Sequence, residues 1–301
     1  IDRSRGLGDV YKRQTIDSQT NILEPVGCMG SRLSANFHVI TGKIQAAKMI
    51  EESIKRAGLT LKNLVLEPIA SSAAVLSEKE KEAGVVLVDI GGGTTDIAIF
   101  HKNVIRHSAV IPFGGQVITN DIQHGCHILE DQAEKLKTKF GAAISVDSAK
   151  HQVVSIPRVN GGQPRQISVR TLSEIIRCRM GEIFELVDME IRASGYHGKL
   201  LAGIVLTGGG SKLRHISQLA EYITGIDARV GEPIERLASN FDVELRHPLY
   251  ATGIGLCEMG FRFEQTLGKS TKPVLSKILS GFSGINLKEI LLGGPEHEDF
   301  N

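Results

Sequence analysis

The sequence of 301 residues contains no tryptophan and few features of several common protein classes. Its four cysteines lie far apart and form no Cys-x-x-Cys pair, which favours a reduced, cytosolic setting over a disulfide framework. The 35 basic and 34 acidic residues leave a net charge of +1, so charge offers no case for a nucleic-acid partner. No apolar run reaches the ~18 residues of a spanning helix. No basic-then-apolar segment predicts a signal peptide either.

Several catalytic and ligand-binding signatures are also missing. There is no Gly-x-Ser-x-Gly elbow and no His-Glu-x-x-His motif. Lys212 follows Ser211, which is the wrong order for a Walker A loop, and neither glycine turn has the Rossmann spacing. His124 and His127 lack the spacing of two metal ligands on one helix face, so a structural role is the better interpretation of both.

The remaining pattern is that of an α/β protein. Helical periodicity predicts helices at 45–57, 69–76, 172–193 and 213–224, and a largely helical segment at 116–141. Apolar or alternating runs predict strands at 37–41, 63–66, 84–89, 96–100 and 203–207, and a hairpin within 151–169. Residues 1–14 follow no sustained period and are expected to be non-native or disordered. A linker is expected near residues 268–273.

The sharpest chemical signal is a turn of three glycines between two predicted strands, in the run DIGGGTTD at 89–96. Glycines let backbone N–H groups approach a phosphate closely, and neighbouring threonines can add hydroxyl donors. Asp89, at the end of a buried strand, is placed to hold a hydrated Mg²⁺. The alternative is a plain hairpin turn whose glycines adopt positive φ. The residues predicted to bind phosphate are Gly91, Gly92, Gly93, Thr94 and Thr95.

A second glycine turn, LTGGGS at 206–211, lies between a predicted buried strand and a helix. Such a turn can pack against a flat adenosine or face a phosphate at a helix N-terminus. Alternatively, the glycines serve only the packing of the loop. The predicted nucleotide-binding residues here are Gly208, Gly209, Gly210 and Ser211.

Two strand–glycine-turn units in separate halves of the sequence resemble the duplicated phosphate loops of the actin, Hsp70 and sugar-kinase superfamily. The resemblance implies an α/β, actin-like (ribonuclease H-like) fold of two lobes that clamp ATP and Mg²⁺. It also implies that Glu67 positions the attacking water and that Glu134 and Lys137 contact the ribose and base. Otherwise, Glu67 caps a helix, and Glu134 and Lys137 form an i,i+3 ion pair on a solvated face.

Within this superfamily, residues 16–266 resemble the FtsA family of bacterial division proteins. The segments that carry the resemblance are PVGCMGSRL (25–33), FHVITG (37–42), LEPIASSAAVL (66–76), EKEAGV (80–85), IPFGG (111–115) and GIVLTGGG (203–210). The implied organisation is part of a 1C-like subdomain at 15–63 and an incomplete first lobe at 64–102 and 248–267. A second lobe follows at 103–247, with a linker and tail at 268–301.

The resemblance implies an actin-like adaptor that binds ATP, polymerises and tethers FtsZ filaments to the inner face of the cytoplasmic membrane at the division septum. At most it would be a weak ATPase. The implied partners are the carboxyl-terminal peptide of FtsZ on the 2B subdomain (within 116–192), other division proteins and the chain itself. A pilus-assembly adaptor, a kinase and an Hsp70-like ATPase are the alternatives.

The tail offers a candidate amphipathic helix for the membrane surface, interrupted by Gly281 and Gly284. Its apolar positions are Val274, Leu275, Ile278, Leu279 and Phe282. At the other end, nothing before Asp17 resembles the first phosphate motif of the superfamily. We therefore expect the chain as it stands to bind ATP weakly or not at all.

Overall fold

The computed structural model describes residues 14–22, 27–35, 38–145, 152–157, 163–233 and 243–270. The chain divides into two units, Ile1–Glu258 and Met259–Asn301, and the site considered below lies in the first. None of the described helices is long and apolar enough to cross a membrane. Most of the unusual first segment and all five candidate membrane-binding residues of the tail lie outside the described residues.

The elements follow one another in a mixed α/β order. The strands are β1 Gln14–Ile16, β2 Gln19–Ile22, β3 Leu33–Ala35, β4 Val85–Ile90, β5 Thr95–His101, β6 Val104–Ile111, β7 Val153–Ile156, β8 Arg165–Ser168, β9 Ile204–Thr207 and β10 Ala228–Val230. The helices are α1 Ile44–Arg56, α2 Glu67–Val75, α3 Glu78–Ala83, α4 Gly115–Cys126, α5 Glu130–Phe140, α6 Val169–Ala193, α7 Ile216–Thr224 and α8 Ala251–Ser270.

A five-stranded sheet in the order β10-β9-β4-β5-β6 forms the centre of the first unit. Strands β4, β5 and β6 pair as antiparallel hairpins, whereas β9 lies parallel to β4 and β10 parallel to β9. All six residues of β4 are buried, because its run VVLVDI has neighbouring strands on both edges and helices on both faces. The sheet therefore places the ends of β4 and β9 side by side.

The two faces of this sheet are buried against different helices. Alternate residues such as Val86 and Val88 belong to a large core that includes Phe184 of α6 and residues of α4 and α7. Val85 and Leu87 point to the opposite face, where a smaller core includes residues at the end of α2 and the start of α8. The period-two alternation along β4 thus produces three layers, helix–sheet–helix.

Most of the long predicted elements are confirmed. The helices predicted at 45–57, 69–76 and 172–193 correspond to α1, α2 and α6, and the strands at 84–89, 96–100 and 203–207 correspond to β4, β5 and β9. The hairpin predicted within 151–169 is the antiparallel pair β7–β8, although its turn lies outside the described residues. The segment at 116–141 forms two helices, because His127 adopts a left-handed conformation (φ 52°) and ends α4.

Three sequence predictions are wrong in detail. Residues 38–41 and 63–66 form no strand, because neither segment pairs with any strand of the described sheets. The helix predicted from 213 begins only at Ile216, because a 3₁₀ turn, Gly209–Lys212, and a left-handed residue at His215 (φ 63°) precede it. The small sheet β2-β1-β3 and strands β6 and β10 were not predicted.

The expected lobe boundary between residues 102 and 103 falls in the turn of the β5–β6 hairpin. Lys102 and Asn103 both have positive φ (58° and 59°), as in a two-residue hairpin turn. Strands on either side of the boundary belong to one sheet, so the segments assigned to separate lobes share a layer. Helix α8 continues to Ser270, through the first residues of the expected linker.

Candidate functional site

The two glycine turns meet at one edge of the central sheet. Asp89 near the end of β4 is the parallel-ladder partner of Thr207, the last residue of β9, so each turn follows the carboxyl end of one of two adjacent parallel strands. In α/β sheets this edge is where ligands commonly bind. Gly208 lies directly against Asp89: a Cβ there would collide with Asp89 Oδ1 and lie 2.6 Å from the Ile90 carbonyl oxygen.

The first turn does not need glycine for backbone conformation. None of Gly91, Gly92 and Gly93 has a φ in the left-handed region, so a simple requirement for positive φ does not explain them. A Cβ added at Gly92 or Gly93 would meet no described atom within 4 Å. These two residues therefore border open space, where the missing side chains leave the backbone accessible to a ligand.

Backbone amides at the amino end of α4 bind the first glycine turn. The Gly115 and Gln116 amides donate to the carbonyl oxygens of Gly91 (2.9 Å) and Gly92 (2.8 Å). A Cβ at Gly114 would lie 2.7 Å from the Gly91 oxygen, so this close approach requires glycine. These bonds fix the turn, and they also use two of the helix amides that a free N-terminus would offer to an anion.

The two threonines of the first turn have different surroundings. Thr94 donates its hydroxyl to Asp96 Oδ2 at 3.0 Å, at the partly buried side of the turn. Thr95 is fully buried and donates to the Phe113 carbonyl oxygen at 2.8 Å. Thr95 thus joins β5 to the loop before α4, whereas Thr94 lies among the acidic groups.

Three carboxylates gather beside the turn. Asp89 and Asp96 are buried, with 4% and 9% of their surfaces exposed, and both have a raised pKa chiefly because burial disfavours the charged form. Partial burial also raises the pKa of Glu67, and the negative charges of Asp96 and Asp89 raise it further. Glu67 is the first residue of α2, and the helix N-cap, Leu66, makes no side-chain capping bond. The three acids form one electrostatic group.

Hydroxyl groups from two helices lie beside the Asp89 carboxylate. Ser71 Oγ of α2 donates to Asp89 Oδ2 at 2.6 Å, and Thr252 Oγ1 of α8 lies 3.4 Å from the same oxygen. Both bonds oppose the effect of burial on the Asp89 pKa. The sequence analysis missed these residues, although Ser71 lies in the run LEPIASSAAVL and Thr252 in the run PLYATGIGL.

Glu134 and Lys137 form a partly buried network. Lys137 Nζ lies 2.7 Å from Glu134 Oε2, and it donates to the Gly115 carbonyl oxygen (2.8 Å) and to Thr119 Oγ1 (2.7 Å). Partial burial raises the pKa of Glu134, but hydrogen bonds from Lys137 and Thr119 outweigh it and leave the pKa below its usual value. The ammonium group therefore points at the first turn of α4, behind the glycine turn, rather than into solvent.

The second glycine turn is shaped mainly by packing. Gly208 has a φ of 81° and Gly210 lies against the Ile90 side chain, so neither position accepts a Cβ without displacement. Ser211 is buried and donates its hydroxyl to the Gly208 carbonyl oxygen at 2.8 Å. Gly209 faces Leu249, where a Cβ would lie 3.2 Å from the Leu249 Cδ1. This turn offers backbone and shape rather than side-chain donors.

The acidic group suits a hydrated cation better than a directly bound one. In the described part of the chain, no cluster of three or more His, Cys, Asp or Glu side chains could hold a metal ion. Mg²⁺ usually keeps several of its waters and takes few carboxylates. Asp89 and Asp96 are therefore compatible with Mg²⁺ held through water beside a bound phosphate.

A second concave feature lies at α6. It is a groove of about 280 Å³ with an apolar floor and a charged rim. Arg179 at the rim binds Asp121 through two nitrogens (2.6 and 3.1 Å) and Glu182 at 2.6 Å. The lining includes Phe113, Arg179, Glu182, Ile183, Leu186 and Met189.

Comparison with protein-family models gives two matches. A model described as cell division protein FtsA matches residues 86–255, and one described as the SHS2 domain inserted in FtsA matches residues 11–41. The second match begins inside the segment that the sequence analysis set apart as irregular. The two models match the central sheet with both glycine turns and the small sheet that precedes it.

Curated relatives and solved structures agree with these matches. The chain is 42% identical to cell division protein FtsA of Pseudomonas aeruginosa over 258 residues, which cover 86% of this chain and 61% of the relative. It is 36% identical to the Escherichia coli K12 protein of the same description over 266 residues, which cover 86% and 63%. The chain thus spans about three fifths of the length of these relatives. The structure of MreB5 of Spiroplasma citri bound to ADP superposes with a TM-score of 0.63 at 19% identity. The superposition covers 75% of this chain and 68% of that one. This likeness shows that the fold is actin-like.

Proposed function

The chain belongs to the FtsA family, and from this membership we propose that it acts in bacterial cell division as an actin-like adaptor. In this proposal the protein binds ATP with Mg²⁺, polymerises, and ties FtsZ filaments to the inner face of the cytoplasmic membrane at the septum. Later division proteins join it there. The observation that carries the nucleotide part is the meeting of two glycine turns at Asp89.

The first turn supplies the phosphate side of the proposed nucleotide site. Gly92 and Gly93 border open space without needing glycine for their own conformation, which supports a close approach of phosphate to the backbone. Lys137 adds a positive charge at the first turn of α4, behind the first glycine turn. Asp89 and Asp96 supply carboxylates for the waters of Mg²⁺. A bound cation would offset the repulsion between these two acids.

The second turn supplies the proposed adenosine side. Its buried Gly208 and half-buried Gly209 and Gly210 leave a surface with no side chain at the edge of the sheet. Glu134 remains partly exposed and ionised, as a hydrogen-bond acceptor for ribose hydroxyls would need to be. Glu67, with its raised pKa, is the candidate for positioning a water, and any hydrolysis would be slow.

A titration with ADP and Mg²⁺ followed by amide NMR tests this site. The expected result is weak, saturable binding that shifts the amide signals of 91–95, 115–116 and 208–210 more than those of β7 and β8. Shifts spread evenly over the chain, with no preference for the two glycine turns, would remove the nucleotide part of the proposal. Asp89→Asn should reduce the affinity for ADP more in the presence of Mg²⁺ than in EDTA.

The groove at α6 is the proposed docking site for the carboxyl-terminal peptide of FtsZ. It lies largely within the segment 116–192 and combines an apolar floor with charges of both signs, which suits a short peptide with one apolar anchor. Met189 is 64% exposed, so its truncation should leave the fold intact. Met189→Ala should weaken the binding of the peptide at least about fivefold. Tyr222→Ala, a truncation on α7 of a side chain that is 84% exposed, should leave binding unchanged.

Membrane attachment is proposed for the tail, whose candidate residues lie outside the described part of the chain. Liposome co-sedimentation of the chain with and without residues 271–301 measures this directly. Sedimentation that depends on the tail supports the adaptor function, whereas equal sedimentation of both forms contradicts a membrane role for the tail. Co-sedimentation with FtsZ filaments in the same assay tests the tether as a whole.

A further inference from the structure

A carboxylate oxygen of Asp89 and two hydroxyl oxygens, from three separate elements, lie within hydrogen-bond distance of one another. Ser71 Oγ lies 2.6 Å from Asp89 Oδ2 and 2.9 Å from Thr252 Oγ1, and Thr252 Oγ1 lies 3.4 Å from the same carboxylate oxygen. Ser71 is fully buried in α2, and Thr252 is half-buried in the first turn of α8. The carboxylate is therefore the point at which α2, β4 and α8 are joined.

Counting protons fixes the direction of these bonds. A hydroxyl group donates a single proton, and Ser71 uses its proton on Asp89, which can only accept when ionised. In the 2.9 Å contact between the two hydroxyls, Thr252 must therefore be the donor and Ser71 the acceptor. The result is a short chain of hydrogen bonds, Thr252 to Ser71 to Asp89, in which each bond polarises the next.

The other carboxylate oxygen is constrained by shape. Asp89 Oδ1 lies against Gly208, where any Cβ would collide with it. Ser71 donates to Oδ2 and Gly208 packs against Oδ1, so neighbours on both oxygens limit the orientation of the carboxylate. Neither Ser71 nor Thr252 belongs to a glycine turn, and each comes from a helix on the α2 face of the sheet.

We infer that Ser71 and Thr252 are positioning residues that orient Asp89 toward the cation of the bound nucleotide. The inference rests on the nucleotide site proposed above. The two hydroxyls act through Asp89 and make no contact with the nucleotide themselves. They should affect the Mg²⁺-dependent part of the affinity, while contacts of the nucleotide with the glycine turns remain.

The first test compares ADP affinity in Mg²⁺ and in EDTA for Ser71→Ala and for the near-isosteric Thr252→Val. Ser71→Ala should reduce the gain in ADP affinity that Mg²⁺ gives by about tenfold, the effect of one hydrogen bond to a charged group. Thr252→Val should reduce it less, because its bond reaches Asp89 through Ser71. Neither change should alter the affinity in EDTA by more than about twofold. Thr252→Ser keeps the hydroxyl and should restore most of the gain. Equal losses in Mg²⁺ and EDTA would show a merely structural role and overturn the inference.

Ser72→Ala is the matched control. Ser72 neighbours Ser71 in α2, is also buried, and donates its hydroxyl to the Ile69 carbonyl oxygen of its own helix at 2.7 Å. Its loss should leave the Mg²⁺ dependence unchanged. If Ser72→Ala reduced this dependence as strongly as Ser71→Ala, the effect would belong to α2 in general and the assignment would fail.

A double-mutant cycle without nucleotide separates this inference from the proposed function. Ser71→Ala and Asp89→Ala, singly and together, are compared by urea unfolding. If Ser71 acts through Asp89, Ser71→Ala should raise the equilibrium constant of unfolding in both backgrounds. The factor of increase should be at least about fivefold smaller in the Asp89→Ala background than in the wild type. Ser72→Ala should have the same effect in both backgrounds. Additive effects of the Ser71 and Asp89 changes would overturn the inference even if ADP binds. Strong coupling would support the positioning of Asp89 by Ser71 even if ADP does not bind.

Discussion

Asp89 of β4 stands directly opposite Asp96 of β5 in the antiparallel ladder, and both carboxylates are buried. Side chains of such a pair share one face of the sheet, and like charges in this position are destabilising. The surrounding hydroxyls reduce the repulsion without supplying positive charge. Two opposed buried acids at the edge of two glycine turns are compatible with the cation site proposed above.

Asp96→Asn should stabilise the protein in the absence of divalent cations. The pKa of Asp96 is raised by burial, so its folded form takes up protons more readily than its unfolded form, and stability is lost as pH rises through the folded pKa. Removing the charge should add about 0.2–1 kcal/mol to the free energy of unfolding near neutral pH, with little gain below the normal pKa of aspartate. Urea unfolding at several pH values measures both effects.

The control for this prediction is Asp227→Asn, which removes an exposed carboxylate at the opposite end of the sheet. It should change stability little and without the same pH dependence. A loss of stability in Asp96→Asn near neutral pH would contradict the prediction. It would mean that Asp96 is stabilised as an anion by its surroundings.

Gly92→Ala and Gly93→Ala should separate ligand binding from stability. Neither glycine has positive φ and neither Cβ would meet a described atom, so each change should alter the free energy of unfolding by less than about 0.5 kcal/mol. Each should nevertheless weaken ADP binding, because the methyl group occupies the space from which a phosphate would approach. Thermal unfolding and ADP titration of the same samples make the comparison.

Gly114→Ala provides the opposite case for the same turn. A Cβ there would lie 2.7 Å from the Gly91 carbonyl oxygen and 2.8 Å from the Gly92 carbonyl oxygen, so the loop and α4 must separate. It should destabilise the fold by about 1–3 kcal/mol, as overpacking does. If Gly92→Ala destabilised the fold as much as Gly114→Ala, Gly92 would be structural and the phosphate role would lose its support.

Sequence alone predicted the elements that have a strong local signal. The buried runs of β4 and β9, the long amphipathic α6 and the two glycine turns were all evident, because apolar period and glycine clusters are local properties. The meeting of the turns at Asp89 was not, because it depends on the parallel pairing of strands more than a hundred residues apart in sequence.

Strand pairings across the expected lobe boundary could not be predicted from the sequence. Strand β6 has mixed burial and no clear period, so its pairing with β5 had no local signal in the sequence. Segments 38–41 and 63–66 failed for a related reason: their composition suits a strand, but strand formation also needs a partner. Ser71 and Thr252 were missed because small hydroxyl residues in a helix have no sequence signature of their own.

Gly208→Ala should be among the most damaging single changes in the second turn. The residue has a φ of 81°, and a Cβ would also collide with Asp89 Oδ1 and the Ile90 carbonyl oxygen. Gly225→Ala is the matched control, because Gly225 has a φ of 69° but a Cβ there would meet no described atom within 4 Å. Gly225→Ala should cost roughly 1 kcal/mol and Gly208→Ala at least about 3 kcal/mol. Similar losses in urea unfolding would show that the contact with Asp89 is readily relieved.

Lys137→Met should destabilise the protein in a pH-dependent manner. The ammonium group joins Glu134 of its own helix to the Gly115 carbonyl oxygen and the Thr119 hydroxyl of α4, and only 13% of the side chain is exposed. Its removal takes a charged donor from all three partners, although Thr119 still donates to Glu134, and should cost about 1–3 kcal/mol near neutral pH. Urea unfolding as a function of pH measures the loss.

The sign of the pH dependence follows from Glu134. Its pKa is lowered in the fold despite partial burial, through the bonds from Lys137 and Thr119, so its contribution is present at neutral pH and is lost as pH falls through the folded pKa. The difference between Lys137→Met and the wild type should therefore shrink in acid. Lys135→Met removes an exposed lysine from the same helix and should show neither effect. The loss in free energy of unfolding for Lys137→Met could instead stay constant as the pH is lowered. Lys137 would then contribute the packing of its aliphatic stem rather than its charge.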